Sequence, residues 1–291
     1  WEMNPTIYLP VNLGPYVQVT PQAGFRGSVW ERSDSVPDGD DKYGNREVFQ
    51  LGATLSTEIN RVFAVGGGTV EKIRHGIKPE LTYTYIPDPS QDRAPDFLEM
   101  QQGQHGLTYA LTNTLLARVK GKDGKVSYRE MLRFKLAQTY DIREARRGVN
   151  SPTRDNRPFG DVDLELDLAP LPYFSLSARN RYNVNSGDWI KNNYDLTLSD
   201  NRGDSASAGY RYTRDTLEEI NLSLKAVLTS SLDATYLLRR NQLDRRTVES
   251  TYGLRYRKQC WNVELNVSDR EDDRTVMAVF SLYGIGKGGA W

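Results

Sequence analysis

Residues 247–282, TVESTYGLRYRKQCWNVELNVSDREDDRTVMAVFSL, decide the fold class. Val248, Tyr252, Leu254 and Tyr256 alternate with Glu249, Thr251, Gly253, Arg255 and Arg257. Trp261, Val263, Leu265 and Val267 then alternate with Asn262, Glu264, Asn266 and Ser268, and Val276, Ala278, Phe280 and Leu282 share one side of a third run that ends in Tyr283, Gly284, Ile285 and Gly286. A strand repeats every two residues, so each run presents one apolar and one polar wall of the same sheet. The fold depends on whether the apolar wall meets a protein core or lipid.

The rest of the chain carries the same rhythm. Leu107, Tyr109, Leu111 and Leu115 run toward a tight turn at Gly121, Asp123 and Gly124, and Val126, Tyr128, Leu132, Phe134, Leu136 and Tyr140 return from it. Val162, Leu164, Leu166 and Leu168 oppose Asp161, Asp163, Glu165 and Asp167; Phe174, Leu176, Ala178 and Tyr182 oppose Ser175, Ser177, Arg179 and Arg181. Toward the N-terminus Pro5, Pro10, Pro15 and Pro21 remove ladder donors, which predicts short, interrupted or edge strands there. Gly66 to Gly68 break a strand pattern without the strand-then-helix context of a phosphate loop. Polar loops are expected from Ser33 to Asn45, from Asp88 to Gln104 and up to Pro158.

Composition separates the membrane classes. Mean hydropathy is −0.63 and apolar residues make up 38 %, yet there are 17 Tyr against 8 Phe. The chain lacks the run of about 20 apolar residues that a spanning helix needs. A transmembrane barrel needs no such run, because apolar and polar residues alternate and Tyr and Trp gather at the headgroups. The expected fold is therefore all-β: an antiparallel transmembrane β-barrel, a meander of about fifteen strands, short turns at one end and longer loops at the other. On a polar wall of this kind Arg129, Arg133, Lys135, Asp163, Glu165, Asp167, Arg179 and Arg181 would face a lumen. A soluble all-β protein with one wet face is the competing reading.

The 38 basic and 38 acidic side chains leave no net charge to draw nucleic acid. The two histidines, His75 and His105, lie in no metal or catalytic spacing, and a hydrolase would have to bring His105 to a nucleophile such as Ser127. The acidic row of Asp161, Asp163, Glu165 and Asp167 spreads along a line instead of around a calcium ion, and no cofactor is expected. The single cysteine, Cys260, cannot form an internal disulfide; it is an inert thiol, a metal ligand without companions, or bonded to a cysteine elsewhere.

Several stretches, in order, resemble the C-terminal half of the barrel of the LptD (OstA) family of lipopolysaccharide-assembly proteins. They are Glu2 to Pro10, Lys78 to Pro87 with its Glu-Leu-Thr-Tyr-Thr-Tyr-Ile-Pro run, Gly106 to Asn113, and Tyr252 to Gly286. The resemblance implies an outer-membrane translocon of a Gram-negative bacterium that delivers lipopolysaccharide to the outer leaflet, without catalysis. It implies that residues 1–291 are the C-terminal portion of a barrel domain whose first strands and N-terminal jelly roll lie outside this sequence. It implies a lateral gate whose last strand carries Thr275, Val276, Ala278, Phe280 and Leu282. As partners it implies lipopolysaccharide, the plug lipoprotein LptE in the lumen, and periplasmic bridge proteins reached through the jelly roll. Cys260 matches the second member of a family cysteine pair, whose first position here is Gln259, and by analogy bonds to the N-terminal domain. A sixteen-strand porin, with Trp291 as its aromatic end, and an outer-membrane lipase are the alternatives.

Overall fold

The computed structural model describes residues 1–31, 43–66, 68–89, 102–121, 123–147, 156–271 and 273–282. Three short strands come first: β1 (Glu2–Met3), β2 (Thr6–Tyr8) and β3 (Val11–Leu13). They lie in line along one side of β4 (Val17–Glu31), with Met3 opposite Gly27, Ile7 opposite Ala23 and Val11 opposite Val19. Pro5 and Pro10 fall in the gaps between them, so a single edge traverse is cut into three where amide donors are missing. The interrupted edge expected from the prolines is what forms.

Next come β5 (Tyr43–Thr57), β6 (Ile59–Ala64), β7 (Val70–Ile86), β8 (Gln104–Lys120) and β9 (Val126–Asp141). β5 and β6 form one traverse interrupted at Glu58, and both pair with β7. Pro79 of β7 lies opposite that interruption, between Ile77, paired with Ile59, and Glu80, paired with Ser56. A mid-strand proline is thereby accommodated where no ladder bond is required of it.

The meander continues through β10 (Phe159–Leu171), β11 (Phe174–Asn183), β12 (Asp188–Ser199), β13 (Ser205–Thr213) and β14 (Leu217–Thr229). It finishes with β15 (Leu232–Asn241), β16 (Arg246–Arg257), β17 (Trp261–Arg270) and β18 (Asp273–Leu282). From β7 onward each strand pairs antiparallel with the next. The 18 strands make fifteen traverses once β1–β3 and β5–β6 are each counted as one. Among the described residues β18 pairs only with β17, and no register joins it to β1–β3, so the sheet is not closed.

One helix interrupts the expected loop before Pro158: α1 (Ile142–Arg147), capped by the Asp141 carboxylate, which accepts the Glu144 amide at 2.8 Å. Strand β5 begins at Tyr43, so it takes in the end of the expected Ser33 to Asn45 loop. The long connections between β4 and β5, β7 and β8, and β9 and β10 all lie at one end. At that end the later connections, residues 184–187, 214–216, 242–245 and 271–272, are as short as those opposite. The asymmetry of loop length therefore belongs to the first half of the sheet. Tyr283 to Gly286 and Trp291 lie outside the described residues.

Candidate functional site

Cross-strand register sorts the side chains onto two walls. On the apolar wall Leu111, Leu136 and Leu164 form one row. Another runs Leu168, Leu176, Leu196, Ala208, Leu222 and Leu238 across six strands. At the short-turn end of this wall Tyr256 packs on Trp261 and Trp261 on Phe280, with centroids 5.7 and 6.0 Å apart. At the long-loop end Tyr85 meets His105, Tyr140 meets Phe159 and Tyr182 meets Trp189, at 5.3, 5.1 and 5.1 Å. Rings thus gather at both rims of the wall, and its middle is mostly aliphatic, with the ring pairs Tyr194–Tyr210 and Tyr236–Tyr252 set among the aliphatic side chains at 6.2 and 4.9 Å. From Leu107 to Leu115 the wall rises about 26 Å along the strand at ~3.3 Å per residue, about 20 Å along the normal at a 40° tilt.

The opposite wall is polar and divides in two. Across β5, β7, β8 and β9 it carries a row of hydroxyls, Thr54 bonded to Thr82 at 3.1 Å and Thr108 to Thr139 at 2.7 Å. From β9 onward it carries ion pairs. Arg133 approaches Glu165 at 3.5 Å and Asp167 at 3.9 Å; Arg179 donates to both oxygens of Asp167 at 2.8 Å; Arg181 donates to Asp163 at 2.8 Å. Lys135 lies in the same wall between Thr112 and Glu165.

The series extends beyond the residues picked out from the sequence. Arg211 pairs with Asp195 at 2.5 Å, Arg239 with Glu219 at 3.4 Å, Arg270 with Glu249 at 3.0 Å and Arg255 with Glu264 at 2.6 Å. The same alternation announced these residues in the sequence; opposite signs at facing positions emerge only from the register. Most of these side chains stay half-exposed, so each pair contributes at most about 1 kcal/mol, and the main effect is a wall that is strongly polar with its charges matched.

Arg129 is the exception among the expected lumen residues. A bulge between the Leu115/Leu132 and Leu116/Glu130 pairs sets Arg129 opposite Ala117, in the row of Leu115 and away from that of Arg133. Its guanidinium reaches the Pro170 carbonyl at 2.7 Å. Strict alternation counted through residue 131 misses that shift.

On β18, Val276, Ala278, Phe280 and Leu282 sit opposite Val267, Leu265, Val263 and Trp261, which places them on the apolar wall, while Thr275 faces Ser268 on the other. That other wall continues as Met277 and Val279, so the last strand is apolar on both faces along much of its length, and Val276 and Phe280 are 66 % and 60 % exposed. Cys260 is exposed in the turn between β16 and β17, at the short-turn end. His105 accepts or donates a hydrogen bond at the Tyr83 hydroxyl, 3.1 Å away. Ser127 sits near the other end of the β8–β9 hairpin, opposite Val119, about 45 Å along the strand at ~3.3 Å per residue, so the two cannot act together. No cluster of metal-ligating side chains occurs among the described residues.

Two carboxylates in the connections titrate low. The Arg143 guanidinium, 2.5 Å from Asp88, holds its carboxyl below the usual range. The Val227 amide, donating at 2.5 Å, does the same for Asp204, with help from Arg202.

The family model for LptD, LPS transport system D, matches residues 1–242, most of the chain. The chain belongs to the LptD family. Proteins named LPS-assembly protein LptD resemble it at low identity: 23 % over 91 % of this chain in Nitrosomonas eutropha, 23 % over 96 % in Thiobacillus denitrificans and 22 % over 97 % in Nitrosococcus oceani. This LptD-family chain spans 38 %, 39 % and 40 % of their respective lengths. Among solved structures, a mutant porin of Rh. blastica is 11 % identical and covers 91 % of this chain and 98 % of its own, with a TM-score of 0.30, too low to carry an argument. The chain is an antiparallel meander, and among the described residues no helix is long and apolar enough to cross a membrane.

Proposed function

We propose that this chain forms the C-terminal part of an outer-membrane barrel that carries lipopolysaccharide to the outer leaflet of a Gram-negative bacterium, without catalysing a reaction. One observation carries the reading: an LptD-family sequence folds into a sheet with an apolar wall, rich in aromatic rings at both rims, on one side and a wall of matched charges and hydroxyls on the other. The first suits lipid contact and the second a hydrated lumen, where a glycan would find hydrogen-bonding partners and a plug lipoprotein of the LptE kind a polar seat. The short-turn end, with Cys260, faces the periplasm in this reading, where the thiol can reach a cysteine of the N-terminal domain that also receives the lipid from the periplasmic bridge.

β18 acts as the moving side of the lateral gate. Its unpaired edge and its two apolar faces let acyl chains pass beside it, where a neighbour bearing matched charges would oppose them. The test is a disulfide staple joining β18 to the first barrel strand of the full-length protein. Arrest of lipopolysaccharide delivery that reductant reverses is the expected outcome, and undiminished delivery refutes the gate. A non-reducing gel of the full-length protein beside Cys260→Ser tests the tether: the mobility shift should vanish with the substitution and with reductant, and identical lanes rule it out.

A further inference from the structure

Four adjacent strands run past their neighbours at the short-turn end. β4 starts at Val17, opposite Thr57, and beyond it β6 continues for six residues with β7 as its only partner among the described residues. On the far side the last pair between β9 and β10 is Leu132 with Leu168, yet β9 reaches back to Val126, and β8 to Lys120. Strand tilt would offset both flanks in the same direction. Here the hairpins stand proud of both, so residues 59–76 and 114–131 form a four-stranded tongue, its β6 side about 20 Å long at ~3.3 Å per residue.

The outer edge of the tongue is β6, every residue of which is exposed, with Ile59, Val62 and Phe63 at 63, 55 and 44 %. The Val65 amide donates to the Glu71 carbonyl at 3.0 Å, so by alternation the amides of Ile59, Arg61 and Phe63 face β7. Those of Asn60, Val62 and Ala64 point outward, where no strand meets them among the described residues.

The charge here is not that of the whole chain. By sequence the tongue holds eight Lys and Arg against three Asp and Glu, although the chain as a whole is neutral. Lys72 makes no ion pair among the described residues, Arg74 reaches Glu58 only at 3.8 Å, and Glu71 is shared by Arg118 and Lys120. Arg61 stacks over Phe63 at 5.2 Å on the opposite face. Lys72 and Arg74 lie in register with Ala64 and Val62, directly behind the free edge.

We propose that β6 is a docking edge that takes an extended acidic segment of a periplasmic partner as an added antiparallel or parallel strand, its carboxylates toward Lys72 and Arg74 and its apolar side chains beside Ile59 and Phe63. An open ladder supplies main-chain bonds, the exposed aliphatic and aromatic side chains supply contact area, and the uncompensated cations select for acid. The compartment rests on the orientation proposed above; the edge and its charge do not.

The probe is a ten-residue peptide of alternating Glu and Val, with a Lys and Val peptide as control, added to the full-length protein in nanodiscs while amide hydrogen exchange is followed residue by residue. The acidic peptide should slow exchange of Asn60, Val62 and Ala64 at least tenfold, the basic peptide should not, and Val62→Pro should abolish the effect while the β7-facing amides keep their protection. Equal protection by both peptides, protection by neither, or amides already slow without peptide would each overturn the proposal. A separate readout addresses orientation: in a Cys260→Ser background, Lys125→Cys at the tongue tip should react with an impermeant maleimide only after the outer membrane is permeabilised. Labelling of intact cells overturns the periplasmic assignment and the partner's compartment with it.

Discussion

Replacing Leu222 by arginine tests whether the apolar wall meets lipid. Leu222 is half-buried near the middle of the 13-residue β14, on the apolar wall between Ala208 and Leu238. Leu198, by contrast, is the penultimate residue of β12, at the short-turn rim and 42 % exposed. On a lipid-facing wall an arginine costs about 2–4 kcal/mol at the bilayer midplane and 0–1 kcal/mol near the interface. Leu222→Arg should therefore lower the folded-to-unfolded ratio about 30- to 700-fold, and Leu198→Arg should lower it only a few-fold. Guanidinium unfolding of the protein in phosphatidylcholine vesicles, followed by tryptophan fluorescence, measures both. If each substitution changes stability by about 0.5 kcal/mol or less, as on a water-exposed surface, or if the two costs are equal, the wall does not face lipid and the barrel argument falls.

Arg179→Met removes a half-exposed pair with Asp167 and should cost less than about 1 kcal/mol in the same unfolding assay; a loss several times larger would mean the polar wall is dry. Gly44→Val places its Cβ about 2.5 Å from the Trp30 ring, which lies across the glycine, and forcing the indole away should cost about 1–3 kcal/mol and shift Trp30 fluorescence. Asp204 has a depressed folded-state value, so its bond to the Val227 amide stabilises the fold above the ordinary carboxyl value of 3.8 and is lost as pH falls through the lower folded one. The stability gap between wild type and Asp204→Asn, measured by urea titration from pH 7 to pH 3, should accordingly stay constant to about pH 4 and then narrow; a gap that narrows between pH 7 and pH 5 contradicts the assignment.

How much of this was legible depended on whether a feature lay within one strand or between strands. Leu107 to Tyr140 showed its hairpin because period two and a Gly-Lys-Asp-Gly turn coincide, and Gly124 does take a φ of 78° in that turn. Pro5 and Pro10 announced a broken edge because the loss of a donor is a local fact. The fifteen traverses expected from periodicity agree with the sheet, although hydrogen bonding splits them into 18 segments. Arg129 was assigned to the wrong row because a bulge is set by the partner strand, here at Leu115 and Leu116. Helix α1 carried a faint signal, Asp141 followed three residues later by Glu144, but one capping pair over six residues does not outweigh a polar connection. The tongue was invisible because its strands look ordinary one by one; only their offset against β4 and β10 makes them project.

The ion pairs of the polar wall also bear on how such a sheet is built. Each of those described from Arg133 to Arg270 joins two strands consecutive in the chain, as Arg181 of β11 does with Asp163 of β10 and Arg255 of β16 with Glu264 of β17. A hairpin can thus neutralise most of its own charges before it touches anything else. An assembly pathway that adds the meander one hairpin at a time never has to hold bare charges of one sign in a low-dielectric setting while awaiting a distant partner, and the hairpins β9–β10, β12–β13, β14–β15 and β16–β17 each carry within themselves counter-ions that help fix their register.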